Sequence, residues 1–181
     1  EGKFIVQYSG NIGMTHDVEA MVEIAEILKN RKDIHFQIIG RGTRKPVLEK
    51  IVKEKNLENC TFLPFQSNEM FPFSLSAADL GVVILDETTS KGSVPSKSYN
   101  LMSYGIPSLY IASEDSQLYH YAGYYNLGAC FNKRELEKAA RFIEQLADDS
   151  ILYDRLSRNA VKASEDFRRS NADKFVEKYL L

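Results

Sequence analysis

The sequence predicts an α/β domain: a Rossmann-like parallel β-sheet with helices on both faces. Three observations predict it. The hydrophobic period switches again and again between two residues and about 3.6 along the chain. The runs Ile34–Ile39 and Leu80–Leu85 are nearly all apolar, as strands covered on both faces must be. Finally, 181 residues at 44% hydrophobic and 27% charged suit one domain, residues 1–181, whose core closes without a disulfide or metal.

Taken in order, Phe4–Ser9 reads as a strand ending in Gly10-Asn11-Ile12-Gly13. A helix follows with Val18, Met21, Val22, Ala25 and Leu28 on one face. Ile34–Ile39 is the second strand, ending at Gly40-Arg41-Gly42, and Pro46–Lys55 the second helix, with Val47, Leu48, Ile51 and Val52 inward. Cys60–Leu63 is a short third strand; a short helix spans 67–77, and Leu80–Leu85 is the fourth strand. A polar loop, Asp86–Val94, enters a helix at Ser96–Tyr104 that Gly105 and Pro107 stop. Ser108–Ile111 is the fifth strand, a helix starts near Ser116, and a weak strand lies at Ala129–Phe131. Helices at 133–148, 151–166 and 171–180 close the chain. Such alternation implies right-handed crossovers, with ligands at the carboxyl ends of the strands. The loops to watch are 10–15, 40–44, 64–68, 86–96 and 112–116.

Composition narrows the classes. A net charge of −2, without a dense Lys/Arg stripe, excludes a broad nucleic-acid face. Cys60 and Cys130 lack ligand-like spacing and read as buried free thiols in a reducing cytosol. No apolar run approaches 18 residues and no signal peptide is visible. The chain opens Glu1-Gly2-Lys3 without an initiator Met, so we expect a piece of a longer protein whose remainder lies upstream.

Several segments carry candidate chemistry, each with a plain structural alternative. Gly10, Asn11 and Gly13 form a turn whose amides suit a phosphate, or a tight turn and nothing more. The spacing fails the dinucleotide fingerprint, and no acidic residue ends the second strand, which disfavours NAD. His16 could donate to a phosphate or merely cap a helix. Pro95-Ser96 opens a helix with Ser96 as its cap; the helix N-terminus and the Lys97 ammonium together suit a diphosphate. Asn100, one turn on, shares that face. The alternative is a routine turn with a solvated lysine. Phe62–Gln66 could form a slot for a flat base or an ordinary core edge. Glu114 and Asp115 read as a cap for the following helix, and half of Tyr119, Tyr121, Tyr124 and Tyr125 are expected to pack on the sheet.

Read in order, Tyr8–Gly13, Phe36–Gly42, Cys60–Pro64, Ala78–Val83 and Pro95-Ser96-Lys97 through Gly105-Ile106-Pro107 resemble the C-terminal domain of family-4 retaining glycosyltransferases (glycosyltransferases group 1). These have the two-domain GT-B architecture, and the sequence is similar to the bacterial surface-polysaccharide branch. The resemblance implies half of a GT-B enzyme that binds a nucleotide-diphosphate sugar, such as a UDP-sugar, for retaining transfer to a polysaccharide or lipid-linked saccharide acceptor. It implies that Leu63, Pro64 and Phe65 face the base, that Asn100 holds the ribose, and that Gly10, Asn11, Gly13, Ser96 and Lys97 face the diphosphate. Lys97 and Lys91, with Arg41 nearby, would neutralise the leaving group, with no metal and no cofactor. The acceptor would sit mainly on an N-terminal domain, which would also bring the cytoplasmic protein to the inner face of the membrane, and the isolated domain would turn over little. Two positions depart from the family, Gly92 and Asn100, which stand where paired glutamates are usual; Met14 and Thr15 also stand where a lysine is expected. Those departures leave room for a degenerate, non-catalytic domain. A sugar-nucleotide 2-epimerase of similar fold would have to draw on His16 and Glu114.

Overall fold

The computed structural model describes residues 2–13, 17–86, 92, 94–168, 170–171 and 173. Among them are six strands: β1 (Phe4–Asn11), β2 (Ile34–Arg41), β3 (Cys60–Leu63), β4 (Leu80–Ile84), β5 (Ser108–Ile111) and β6 (Gly128–Phe131). All pair in parallel, in the order β3-β2-β1-β4-β5-β6. The helices are α1 (Glu19–Ile27), α2 (Lys45–Glu54), α3 (Phe71–Ser76), α4 (Ser96–Ser103), α5 (Gln117–Tyr125), α6 (Leu136–Asp148) and α7 (Ser150–Ser164). The chain winds outward from β1 to β3, then returns to β1's other side at β4. The crevice between the carboxyl ends of β1 and β4 is therefore the point where strand order reverses, the favoured ligand position in such sheets.

Side-chain period decides which face each element buries. α6 turns Leu136, Ala139, Ala140, Ile143 and Leu146 inward, a helical stripe that joins α1, α2 and the β1/β2 face in one apolar cluster. Leu101 and Met102 of α4, Leu118 and Tyr121 of α5 and Ala160 of α7 build a second cluster on the opposite face. Arg31 ties the base of the first cluster together through Asp33 (2.7 Å) and Asp148 (2.6 Å).

Buried Asn59 fixes the α2–β3 corner. Its side-chain amide donates to the Ala25 carbonyl at the end of α1 (2.8 Å), and its backbone carbonyl accepts from the backbone amide of Phe36 in β2 (2.7 Å). Asn59→Ala is expected to cost about 1–2 kcal/mol, because the Ala25 carbonyl loses its buried donor. Thermal unfolding should show a fall of roughly 2–8 °C for a chain of this size.

The structure moves several predicted boundaries. β1 runs through Asn11 and β2 through Arg41, because the parallel register continues as Gly10↔Gly40 and Asn11↔Arg41. β4 ends at Ile84, and the helix expected over 67–77 is confined to Phe71–Ser76. Ser116, rather than Glu114 or Asp115, caps α5 by accepting from the Tyr119 amide (3.1 Å); Asp115 instead accepts from Ser113 (2.6 Å). Tyr121 and Tyr125 pack around Phe167 while Tyr119 and Tyr124 are exposed, so half of that tyrosine run is internal. Cys60 is buried, Cys130 is half-buried, and both are free thiols. Most of the helix expected at 171–180 lies outside the described residues.

Candidate functional site

The end of β1 is built by glycines. Gly10 faces Gly40 across the β1–β2 ladder, and a Cβ on Gly40 would stand 1.9 Å from the Gly10 carbonyl oxygen. At Gly42 a Cβ would lie 2.2 Å from the Ile12 oxygen. Both glycines have φ near +155°, so only residues without a side chain let β1 and β2 run this close to their ends. The expected phosphate-binding turn at Gly10–Gly13 is accordingly shorter than the sequence suggested. Gly10 and Asn11 still belong to the strand, and the Ile12 amide is spent on the Arg41 carbonyl (2.9 Å). Asn11 is exposed at the strand tip and Gly13 follows it.

Across the crevice, α4 begins at Ser96. Pro95 holds the cap position in an extended conformation (φ −61°, ψ 134°), and its carbonyl accepts from the Ser98 amide (3.0 Å). Ser96 is thus the first helical residue, exposed, and not the cap: proline's fixed φ ends the preceding extended segment one residue earlier. Lys97 and Asn100, three residues apart, fall on the crevice side. With Gln7 and Ser9 of β1 they line a cavity of about 20 Å³, closed below by Val82 and Leu101.

The Lys97 ammonium stands 4.2 Å from the centroid of the Tyr8 ring. Burial pushes its pKa down from 10.5 to about 8, since the charged form loses hydration. The Tyr8 hydroxyl donates to the Asn11 carbonyl (2.7 Å). A desolvated cation at a sheet's switch point, beside the N-terminus of an eight-residue helix, is an arrangement suited to an anion.

The second half of the crevice lies at the ends of β2 and β3. Arg41 lies over the exposed Phe65 ring, 5.1 Å from its centroid, forming a flat platform. Lys45, in the first turn of α2, donates to the Leu63 carbonyl (3.1 Å) and reaches the Gly40 carbonyl (3.4 Å). The Pro64 carbonyl accepts from the side-chain amide of Gln66 (2.7 Å). Leu63, Pro64 and Phe65 therefore present an apolar and aromatic edge whose first two carbonyls each hold an internal hydrogen bond.

Of the residues singled out in the sequence, Lys97 and Asn100 line the small cavity beside β1, with Gly10 against the lysine tip; Asn11 and Ser96 are exposed at the end of β1 and the start of α4, and Arg41, Leu63, Pro64 and Phe65 lie at the ends of β2 and β3. Gly92 is exposed, and a Cβ there would meet nothing within 4 Å. Lys91, Met14, Thr15 and His16 lie outside the described residues, while Glu114 is exposed at the β5 end. Sequence reasoning missed Tyr8 and Lys45. Tyr8 reads as one more alternating strand residue; Lys45 carried a weak signal, a lysine three residues past Gly42 and just before Pro46.

Comparison with known proteins places this fold in a family. Residues 1–163 match the family described as Glycosyl transferases group 1. The chain is 32% identical over 118 residues (65% of this chain, 29% of the relative) to a protein named for colanic acid biosynthesis, the glycosyl transferase WcaI of Escherichia coli strain K12. It is 29% identical over 193 residues (99% of this chain) to a UDP-N-acetylglucosamine–N-acetylmuramyl-(pentapeptide) pyrophosphoryl-undecaprenol N-acetylglucosamine transferase of Caldicellulosiruptor saccharolyticus, covering 49% of it. The chain thus spans half or less of these curated relatives. Two solved structures share the fold. The C-terminal domain of a glycosyl transferase group 1 protein (LpcC) from Francisella tularensis superposes with a TM-score of 0.73 at 20% identity, covering 89% of this chain and 84% of that one. Anabaena HepE, solved with UDP, gives 0.81 at 14% identity, covering 99% of this chain and 49% of that one.

Proposed function

This chain belongs to the group 1 glycosyl transferases, and from that premise we propose that it binds the diphosphate-sugar donor in the crevice between β1 and α4 for retaining transfer to a saccharide hydroxyl. One observation carries the reading: the Lys97 ammonium, desolvated and without a carboxylate partner among the described residues, at the point where strand order reverses. Negative charge grows on the departing diphosphate as the glycosidic bond breaks, and a preorganised cation with a helix N-terminus stabilises that charge without needing to reorganise. Protein cations supply this charge in our reading, Lys97 first and Lys91 or Arg41 second, with no bound metal and no cofactor. Asn100 takes the ribose hydroxyls, and the Arg41–Phe65 edge takes the base.

Uridine is the base we favour, because the solved relative from Anabaena was captured with UDP and the Caldicellulosiruptor relative is named for a UDP-sugar. The latter's name also specifies a polyprenyl-pyrophosphoryl saccharide, which supports a lipid-linked acceptor held mainly by an N-terminal domain. Among the described residues no helix is long and apolar enough to cross a membrane; in our reading that domain makes the contact with such an acceptor at the inner membrane face. The isolated chain should bind donor and turn over little.

Thermal melting in the presence of UDP, GDP and ADP tests the donor reading. At a hundred times its dissociation constant a ligand stabilises the folded state by about 2.7 kcal/mol, or roughly 5–10 °C here. UDP is expected to give this shift and the others less. Absence of any shift at millimolar nucleotide, in this chain and in the full-length protein alike, would discard the reading in favour of a domain that only packs against a partner. Gly92 and Asn100, which lack the carboxylates usual at their positions, are what favour that second reading. They also yield a gain-of-function expectation. Asn100→Glu offers a ribose diol a charged acceptor, a contact worth about 1 kcal/mol more than the amide. UDP should bind roughly fivefold tighter by calorimetry.

A further inference from the structure

We infer that Tyr8 is a positioning residue of this site: its ring is the seat that holds the Lys97 ammonium at the end of β1, and Gly10 is the opening through which the lysine reaches it. The inference rests on the donor reading of Lys97 given above. Tyr8 belongs to the apolar cluster on the α1/α6 face, whereas Lys97 projects from α4 on the other face. To bring the ammonium within 4.2 Å of the ring centroid, the lysine must cross the carboxyl end of β1. It does so at Gly10, where a Cβ would stand 2.7 Å from Nζ. The lysine tip therefore occupies the space that a side chain at this position would take.

The seat has a physical purpose. A lysine stem has four rotatable bonds, and an ammonium free to sample them loses that freedom when it engages an anion. The electron-rich face of a buried tyrosine favours the cation while lacking the full charge of a carboxylate that would compete with the anion. Tyr8 is itself fixed: it is fully buried, and its hydroxyl donates to the Asn11 carbonyl at 2.7 Å. One ring therefore anchors both the strand tip and the cation.

The test separates ring from hydroxyl and seat from donor site. In the 181-residue chain, ring current should shift the Lys97 ε-methylene resonance upfield, assigned by its loss in Lys97→Ala. We expect the shift to persist in Tyr8→Phe and to vanish in Tyr8→Leu, or in Tyr8→Met should the leucine variant not fold. UDP affinity should stay within about twofold in Tyr8→Phe and fall about tenfold in the ringless variant. In a Lys97→Ala background the ringless variant should weaken UDP no further, which a merely structural role would not produce. Absence of a shifted resonance in the unmodified chain overturns the seat whether or not nucleotide binds. So do additive losses in the double variant. If the resonance behaves as expected and no nucleotide binds, the donor reading fails while Tyr8 stands as the seat of Lys97.

Discussion

Lys97→Ala is expected to raise the dissociation constant for UDP roughly 10–100-fold, the loss of one or two charge-assisted contacts worth about 1.5–3 kcal/mol. The same change should leave the melting temperature of the free chain unchanged or slightly higher. Burying an ammonium costs hydration, and among the described residues a tyrosine ring is what faces it. The pH dependence follows from the depressed pKa of about 8. Between that value and the ordinary 10.5 of a lysine in the unfolded chain, the unfolded state holds a proton that the folded state has released. Stability therefore rises with pH across this window, and the rise should be absent from Lys97→Ala when the two melting curves are subtracted. Nucleotide affinity runs the other way. It needs the ammonium, so it should be greatest below pH 8 and decline above it. Calorimetry at pH 7 and pH 9.5 checks both signs; equal affinity at the two values would remove Lys97 from the anion site.

The largest structural effect is expected at Gly40. A Cβ there would stand 1.9 Å from the carbonyl oxygen of Gly10, at a φ of +155°. The obstructing atom is backbone in the neighbouring strand, so no rotamer change relieves it. Gly40→Ala should cost about 3–5 kcal/mol, from a strained backbone together with overpacking, and lower the melting temperature by roughly 10 °C. Spreading β1 from β2 at this point would also displace Gly10 and with it the Lys97 seat, so UDP binding should fall in the fraction that folds. Gly92→Ala is the control. A Cβ there meets nothing within 4 Å, and its melting curve should overlay that of the parent. A Gly40→Ala variant as stable as this control would mean that β1 and β2 do not approach as described.

The alternation of strand and helix was legible because each periodicity is local: two for a strand face, 3.6 for a helix face, punctuated by Gly and Pro. Ile34–Ile39 and Leu80–Leu85 announced strands covered on both sides, and those strands are β2 and β4. Boundaries were less legible where pairing rather than composition sets them. Nothing within Ser9-Gly10-Asn11 says that the strand continues; the partner residues Gly40 and Arg41 do. Ser96 resembled a cap, yet Pro95 beside it already held the extended geometry that a cap requires.

The candidate site divides the same way. By itself the sequence determined the fold class and the ordered motifs that mark the group 1 family. It also determined that Ser96 and Asn100 share one helix face and that two carboxylates usual in the family are missing. These properties depend on residue identity and spacing along the chain. Only the tertiary structure decided that Lys97 rests on Tyr8, that Arg41 lies over Phe65, and that Lys45 closes on the Leu63 carbonyl. Each of those contacts joins residues brought together by parallel crossovers, and the desolvation that lowers the Lys97 pKa exists only once β1 and α4 pack against one another. Sequence spacing fixes which groups are available, whereas strand order fixes which of them meet at the crevice between β1 and α4.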